Sequence, residues 1–492
     1  MPLIELTLPK GLKYNGTDMQ AEGRWRDGNL IRWTEDALGP VGGWIERMAS
    51  AYAAAPRAML AWEDDTSDRW IAAGTYSHLY VSNASGTTFD ITPAGFTSGI
   101  EDAAVNTGFG GGFFGTGFFG QPRPDTGNYS EATTWDLDTW GQYLVGCSSD
   151  DGKLYEWQLA TGTPAAAISN APTSNLGVVV TDERFVFALG AGGNPRVIQW
   201  CDFEDNTLWT AASTNQAGDH TLQTSGRIQA GIRAQGQTLI LTDRDAHRCV
   251  YTGPPFIHQF EKVGDACGLV ARKALANTPA GVFWMGQNGF FRYNGSSVEQ
   301  VPCEIHDKVF KNRSSAQVSK CWAVTNGQHN EVWFFYPSSA SVEVDSYAAF
   351  DYGQGIWTFG SLDRTAGVDR GIFRTPIWAD ATSSVYDHET GYNYDSNTIF
   401  IESGPMNIGA GDNTAIVTKV IPDEAALGDV QLTLKSRYYP TGTETSHGPY
   451  TAVNPTSVRV KGRQLRVRLE AQLPGKWRIG NYRAEVRQGG KR

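Results

Sequence analysis

The sequence predicts an all-β chain built around a β-propeller, and three observations carry that prediction. Short apolar runs separated by turn chemistry recur in units roughly 40 to 50 residues apart. Helical periodicity is nearly absent, and 303–311 (CEIHDKVFK) is one of the few stretches fit for a turn or two of helix. Glycine (56) and tryptophan (16) are plentiful, while charged residues make up 19%, against roughly 25% in an ordinary soluble protein.

The units can be taken in order. Residues 68–92 read as strand, turn, strand, turn, strand, and 134–158 do the same around an Asp151-Gly152 hairpin turn. Residues 177–202 end in Trp200 as the previous unit ends in Trp157. A fourth unit spans 235–263. A fifth, 280–302, turns at Asn294-Gly295, and a longer sixth spans 320–361. This gives a propeller of about six blades, with five to seven compatible with the degenerate repeat. An array of β-sandwiches is the alternative for so weak a repeat. The division expected is 1–57 as an N-terminal arm or platform segment, 58–380 as the propeller, and 381–492 as a C-terminal β platform with a basic tail. A Gly/Phe-rich insertion at 106–128 interrupts the propeller. Residues 383–395 read as a polar connector.

In 457–471 (SVRVKGRQLRVRLEA) the apolar residues Val458, Val460, Leu465, Val467 and Leu469 alternate with Arg459, Lys461, Arg466 and Arg468. The phase resets at Gly462-Arg463-Gln464. That is a half-buried strand pair, or one bulged strand, with a basic outer face. Residues 459–492 hold eleven Lys or Arg and two Glu, whereas the whole chain carries a net −11. An acidic body with a basic tail argues against a grip on DNA, because that grip comes mainly from cation–phosphate contacts.

Several functional classes lose support. The segment 108–120 (GFGGGFFGTGFFG) holds two overlapping GxGxxG patterns, but Pro122, Pro124 and Gly127 follow where a helix would have to open. What remains is a loop with five phenylalanines: Phe109, Phe113, Phe114, Phe118 and Phe119. The eight histidines form no metal-binding spacing, and the six cysteines form no CxxC pair and read as buried thiols of a reducing compartment. The cluster Glu63-Asp64-Asp65 with Asp68 reads as a solvated loop. Residues 148–157 (SSDDGKLYEW) approach the sialidase Asp-box, a turn device without catalytic chemistry. No apolar run reaches the length of a membrane span, and the first residues lack the pattern of a signal peptide. No catalytic constellation and no cofactor site are expected.

Both ends of the chain carry a resemblance. Residues 8–44 hold Asn29, Leu30 and Arg32 followed by Gly39, Pro40, Gly42, Gly43 and Trp44. Residues 460–492 hold Gly462-Arg463-Gln464, Trp477-Arg478-Ile479-Gly480 and a final Gly489-Gly490-Lys491-Arg492. With "EVWFFYP" and "YAAFDYGQGIWTFG" between them, these resemble the tail nozzle, or tail tubular protein B, of short-tailed bacteriophages, a family related to packaged-DNA-stabilising tail proteins.

The resemblance implies a structural virion protein of the phage tail, assembled in the host cytoplasm as a homo-hexamer. It implies docking below the adaptor (head-to-tail connector) ring and contact with tail fibres or spikes. Double-stranded DNA would pass without specific binding. Arg459, Lys461, Arg463, Arg466, Arg468, Arg478 and Arg483 then become candidates for meeting an acidic neighbouring ring, with an ordinary solvated face as the alternative. The five phenylalanines become candidates for a subunit interface or a channel gate, the alternative being a loop packed on its own propeller. Two other functions stay open: a propeller glycosidase or glycan-binding tail protein, and a head-closure plug that stabilises packaged DNA.

Overall fold

Runs such as Gly177–Val180 and Val186–Leu189 are apolar without alternation, and every one of their residues is buried, as expected of strands covered on both faces. The computed structural model describes residues 3–6, 8–105, 129–409 and 413–491. Among the described residues, seven four-stranded antiparallel sheets form a ring, and six of them run as simple meanders. Their innermost strands are Ala58–Glu63, Trp135–Trp140, Gly177–Val180, Ile228–Ala234, Leu275–Thr278, Trp322–Asn326 and Ala366–Val368. Each packs against the next, and the last against the first, so the ring closes as a seven-bladed β-propeller.

Six blades correspond to the six units legible in the sequence. The seventh does not, because its strands Ala366–Val368, Ile377–Ala379 and Val385–His388 are short and its fourth strand is Trp44–Met48, from the opposite end of the chain. The segment read as a polar connector at 383–395 thus contains a blade strand. Boundaries at 57 and 380 would leave Trp44–Met48 and Val385–His388 outside the propeller to which they pair. The stretch expected to make a helical turn does so, over His306–Phe310.

Separate apolar cores fill the gaps between blades one and two, two and three, three and four, and seven and one. In blade six Trp322 stacks on Phe335 with ring centroids 4.6 Å apart, and Trp333 stacks on Tyr347 at 4.5 Å. Between blades three and four, His258 stands among the rings of Phe185, Phe187, Trp200 and Tyr251 at centroid distances of 4.8, 4.9, 5.0 and 5.6 Å. Neither of its ring nitrogens has a hydrogen-bond partner among the described residues.

Outside the ring, two antiparallel sheets share a core. One is ordered Leu3–Glu5, Arg483–Lys491, Asn413–Ile421, Thr456–Gly462. The other is ordered Trp25–Asn29, Phe400–Ser403, Gln464–Ala471, Val430–Arg437, Thr445–Thr451. Val417, Leu434, Val460, Val467 and Val486 all point into this core, which is continuous with that of blades four to seven.

The N-terminal motif makes the joint between sandwich and propeller. Asn29 donates to the Thr398 carbonyl at 2.9 Å, and its Oδ1 accepts from the Ser361 amide at 2.9 Å. The Leu30 amide donates to the Tyr347 hydroxyl at 2.8 Å. Arg32 is buried between two carboxylates: Nε lies 2.6 Å from Glu331 Oε1, and Nη2 lies 2.6 Å from Glu389 Oε1. Gly42 and Gly43 allow the chain to pass here. A Cβ on Gly43 would lie 2.5 Å from the Asn393 carbonyl oxygen, and one on Gly42 would lie 2.6 Å from the Glu389 Cα.

Replacing Arg32 with methionine strands two buried carboxylates, and denaturant unfolding should show a loss of about 3–5 kcal/mol. Burial pushes the Glu389 carboxyl up, but Arg32 and His329 outweigh it and hold it well below its ordinary value. Its contribution is therefore complete above about pH 4.5 and is lost as pH falls through the depressed folded value. Burial pulls His258 down to about 4. The unfolded chain takes up this proton near pH 6.5, so stability should fall between about pH 6.5 and 4, by roughly 3 kcal/mol in all. His258→Phe should flatten that part of the stability–pH curve relative to the parent.

Candidate functional site

The chain from 456 to 471 is two strands in different sheets, and it crosses from one sheet to the other at Gly462-Arg463. In Thr456–Gly462 the alternation is complete, with Val458 and Val460 buried and Arg459 and Lys461 exposed. Across that sheet Ile416 stands opposite both Lys461 and Arg487, and Lys419 stands opposite Ser457 and Glu485. The result is a solvent-facing sheet surface with Arg459, Lys461, Lys419, Arg483 and Arg487 against Glu5 and Glu485. Of these cations only Lys419 has an ion pair among the described residues, at 3.7 Å to Glu485. Lys419 and Arg487 belong to this face although the sequence reading did not select them. The alternation in Asn413–Ile421 and Arg483–Lys491 is the signal that marks them.

The other basic candidates are placed differently. Arg466 and Arg468 lie on the second sheet and are half-buried. Arg466 Nε lies 2.7 Å from Glu444 and its Nη2 meets Asp18, while Arg468 Nη2 lies 2.9 Å from Glu470. The Arg468 guanidinium also sits 3.7 Å from the centroid of the Phe400 ring. Arg466 ties the second sheet to the N-terminal segment at Asp18, whereas the partners of Arg468 lie within its own sheet. Arg463 lies over Tyr439 at the crossing. Arg478 is exposed on the loop before the last strand, where Ile479 pairs with Leu38 through amide–carbonyl bonds of 2.9 and 3.1 Å. The two segments that carry the resemblance are therefore in contact. At one end of the sandwich, Leu427, Val453 and Leu473 stand exposed on neighbouring loops, joined by the Gln472 amide bond to the Asp429 carbonyl.

Phe109, Phe113, Phe114, Phe118 and Phe119 lie outside the described residues, and the roots of their insertion lie inside them. Ala104–Val105 pairs with Tyr129–Ser130. Below that ribbon, the Ala103 amide donates to Gln317 at 2.9 Å and the Ala132 amide donates to Ser319 Oγ at 3.1 Å. Lys320, whose side chain is fully buried, meets Asp102 and lies 3.1 Å from Glu343, which also binds Arg57 at 2.7 Å. Glu131 lies 3.7 Å from Arg227. Arg57, Arg227 and Lys320 precede the inner strands of blades one, four and six. The roots thus lie across the face of the ring where the inner strands begin.

The remaining candidates are structural. Asp64 accepts from the Thr66 and Asp68 amides at 2.9 and 3.0 Å and from Trp70 Nε1 at 3.0 Å, which makes it the anchor of its turn. Tyr155 donates to Asp151 across the Asp-box-like hairpin, where Gly152 has φ +67°. The six cysteines are unpaired, and burial pushes Cys267 up to about 11. Among the described residues no three His, Cys, Asp or Glu side chains gather as metal ligands. No helix among them is long and apolar enough to cross a membrane.

No family model and no curated protein matches the chain. Among solved structures it is similar to virginiamycin B lyase from Staphylococcus aureus, with TM-score 0.44 and 9% identity over 70% of this chain and 98% of that one. It is also similar to a fungal alcohol oxidase in complex with copper (TM-score 0.39, 12% identity, 87% and 92%) and to the Pan2 WD40 domain of Neurospora crassa (TM-score 0.37, 8% identity, 72% and 95%). Likenesses this distant carry no chemistry over to this chain. The class is defined by the closed ring of seven sheets: a β-propeller with a fused β-sandwich.

The placement of the basic residues makes a testable distinction. Reversing Arg459, Lys461 and Arg483 to Glu should change unfolding stability by no more than about 0.5 kcal/mol each. Arg466→Ala and Arg468→Ala should each lose about 1–3 kcal/mol in urea titrations, because each removes one of the cations shared by partly buried carboxylates, which keep Arg437 or Lys435.

Proposed function

We propose that the chain is a structural subunit of a short-tailed phage tail nozzle, working as a shape-holding part with no catalytic step. The observation that carries this reading is the sandwich built from both chain ends. It is fused to the propeller through Asn29, Leu30, Arg32, Gly42 and Gly43, the residues by which the sequence resembles that family. It also presents an exposed basic sheet on an otherwise acidic protein. A basic face on such a body suits contact with an acidic adaptor ring. The acidic remainder suits a tube wall from which phosphate is repelled, so that double-stranded DNA slides through. In this reading six copies form a ring, the sandwiches dock the adaptor, and the subunit resides in the virion.

Native mass spectrometry and negative-stain imaging of the purified chain, alone and with tail particles, test the reading. A six-fold ring that joins particles at the tail end is expected. A monomer that never enters particles would overturn it. The triple variant Arg459→Glu, Lys461→Glu, Arg487→Glu should keep the ring but lose docking. Docking by the parent should weaken steeply as salt rises from about 0.1 to 1 M, where screening shortens from about 10 to 3 Å.

A further inference from the structure

The axis of the propeller holds charges that neither the sandwich nor the nozzle reading uses. A cavity of about 390 Å³ is walled by all seven inner strands, with Asp136, Asp138, Arg233, Arg272 and Lys273 among its lining. Two ion pairs are complete within it. Asp138 lies 2.6 Å from Arg233 and also accepts from the Val180 amide at 2.8 Å. Asp136 Oδ1 lies 3.3 Å from Lys273. Arg272 is left over. It is 5% exposed, has no ion pair among the described residues, and its Nη1 has no hydrogen-bond partner there. Burial pulls its guanidinium below the ordinary value, with Asp136 acting in the opposite direction. A buried, unpaired guanidinium stays protonated and is costly by several kcal/mol unless an anion meets it.

A second orphan lies beside it. Asp136 Oδ2 is buried and accepts nothing among the described residues. Both atoms flank Gly177: a Cβ there would lie 2.1 Å from Asp136 Oδ2 and 3.8 Å from Arg272 Nη1. They are not an ion pair, so they stand about 4–6 Å apart, a span that two oxygens of one tetrahedral anion bridge, each with one hydrogen bond of ordinary length. Asp136 Oδ2 lies where a side chain on Gly177 would begin, Arg272 Nη1 is close by, and both residues line the axial cavity. One orphan donates and the other accepts. A group that satisfies both must accept from a cation and donate to a carboxylate.

We propose that the propeller axis binds a protonated tetrahedral oxyanion: phosphate carrying at least one P–OH, free or as a small monoester. Arg272 Nη1 donates to an unprotonated oxygen, Lys273 adds positive charge, and Asp136 Oδ2 accepts from the P–OH. Sulfate has the same shape but no proton at neutral pH, so it meets Asp136 as a repulsion. This site is independent of the nozzle reading and stands or falls without it.

The test is calorimetry and thermal unfolding of the full chain with inorganic phosphate, glycerol phosphate or sulfate, with chloride holding ionic strength constant. Saturable phosphate binding is expected, with sulfate weaker by roughly tenfold or more. Glycerol phosphate as tight as phosphate would assign the site to monoesters, and phosphate alone would assign it to the free ion. Arg272→Met should abolish binding. It should also raise the unfolding midpoint in phosphate-free buffer by roughly 2 °C or more, because it removes an unpaired buried charge. That rise shows the variant to be folded. Asp136→Asn should bring phosphate and sulfate to within roughly threefold of each other. Three results would overturn the proposal: no saturable phosphate binding by the parent up to about 10 mM, phosphate binding retained by Arg272→Met, or sulfate bound as well as phosphate by the parent.

Discussion

Arg32 is the constraint around which the two halves of the molecule are arranged. Its planar fork engages Glu331 of blade six and Glu389 just beyond blade seven at once, and a lysine cannot reproduce that geometry. The same two carboxylates are already committed. Glu331 accepts from Trp333 Nε1 at 2.8 Å, and Glu389 accepts from the Gly42 amide at 2.9 Å and from Asn326 at 2.7 Å. A single buried cation thereby sets the last two blades, the entry of the blade-closing strand and the sandwich in one register. The apolar core is continuous across these parts.

The division of labour among the basic residues has a simple physical cause. A cation on a strand stays free when its neighbours across the sheet are apolar or like-charged, as Ile416 is to Lys461 and Arg487. It is consumed when carboxylates from other parts of the chain reach it, as Asp18 and Glu402 reach Arg466 and Arg468. A run of basic residues in one stretch of sequence thus serves two purposes, one adhesive toward the protein itself and one directed outward.

Much of the fold was legible because it is written in local signals. Six blades announce themselves by short apolar runs and by turns such as Asn294-Gly295, and the inward and outward faces of Thr456–Gly462 follow from period two. The seventh blade was illegible because its pairing, Trp44 opposite His388, joins residues distant in sequence. The same limit hid the roles of Asp18, Glu389 and Arg272, whose meaning depends on what stands beside them in space. Asn29 and Arg32 stood out in the sequence only through a resemblance, and their hydrogen bonds give them a structural role of their own.

The closing strand has a consequence for how the molecule is made. Trp44–Met48 leaves the ribosome first among the blade strands, and its partner Val385–His388 arrives some 340 residues later, roughly half a minute at ordinary synthesis rates. Through that interval the strand has no sheet to join, and a free strand invites pairing with a stranger. Glu46 and Arg47, with Glu46 exposed even in the finished blade, place opposite charges at the middle of this segment. The nascent chain therefore carries its own deterrent to premature partners, and the ring is sealed only once Val385–His388 has emerged.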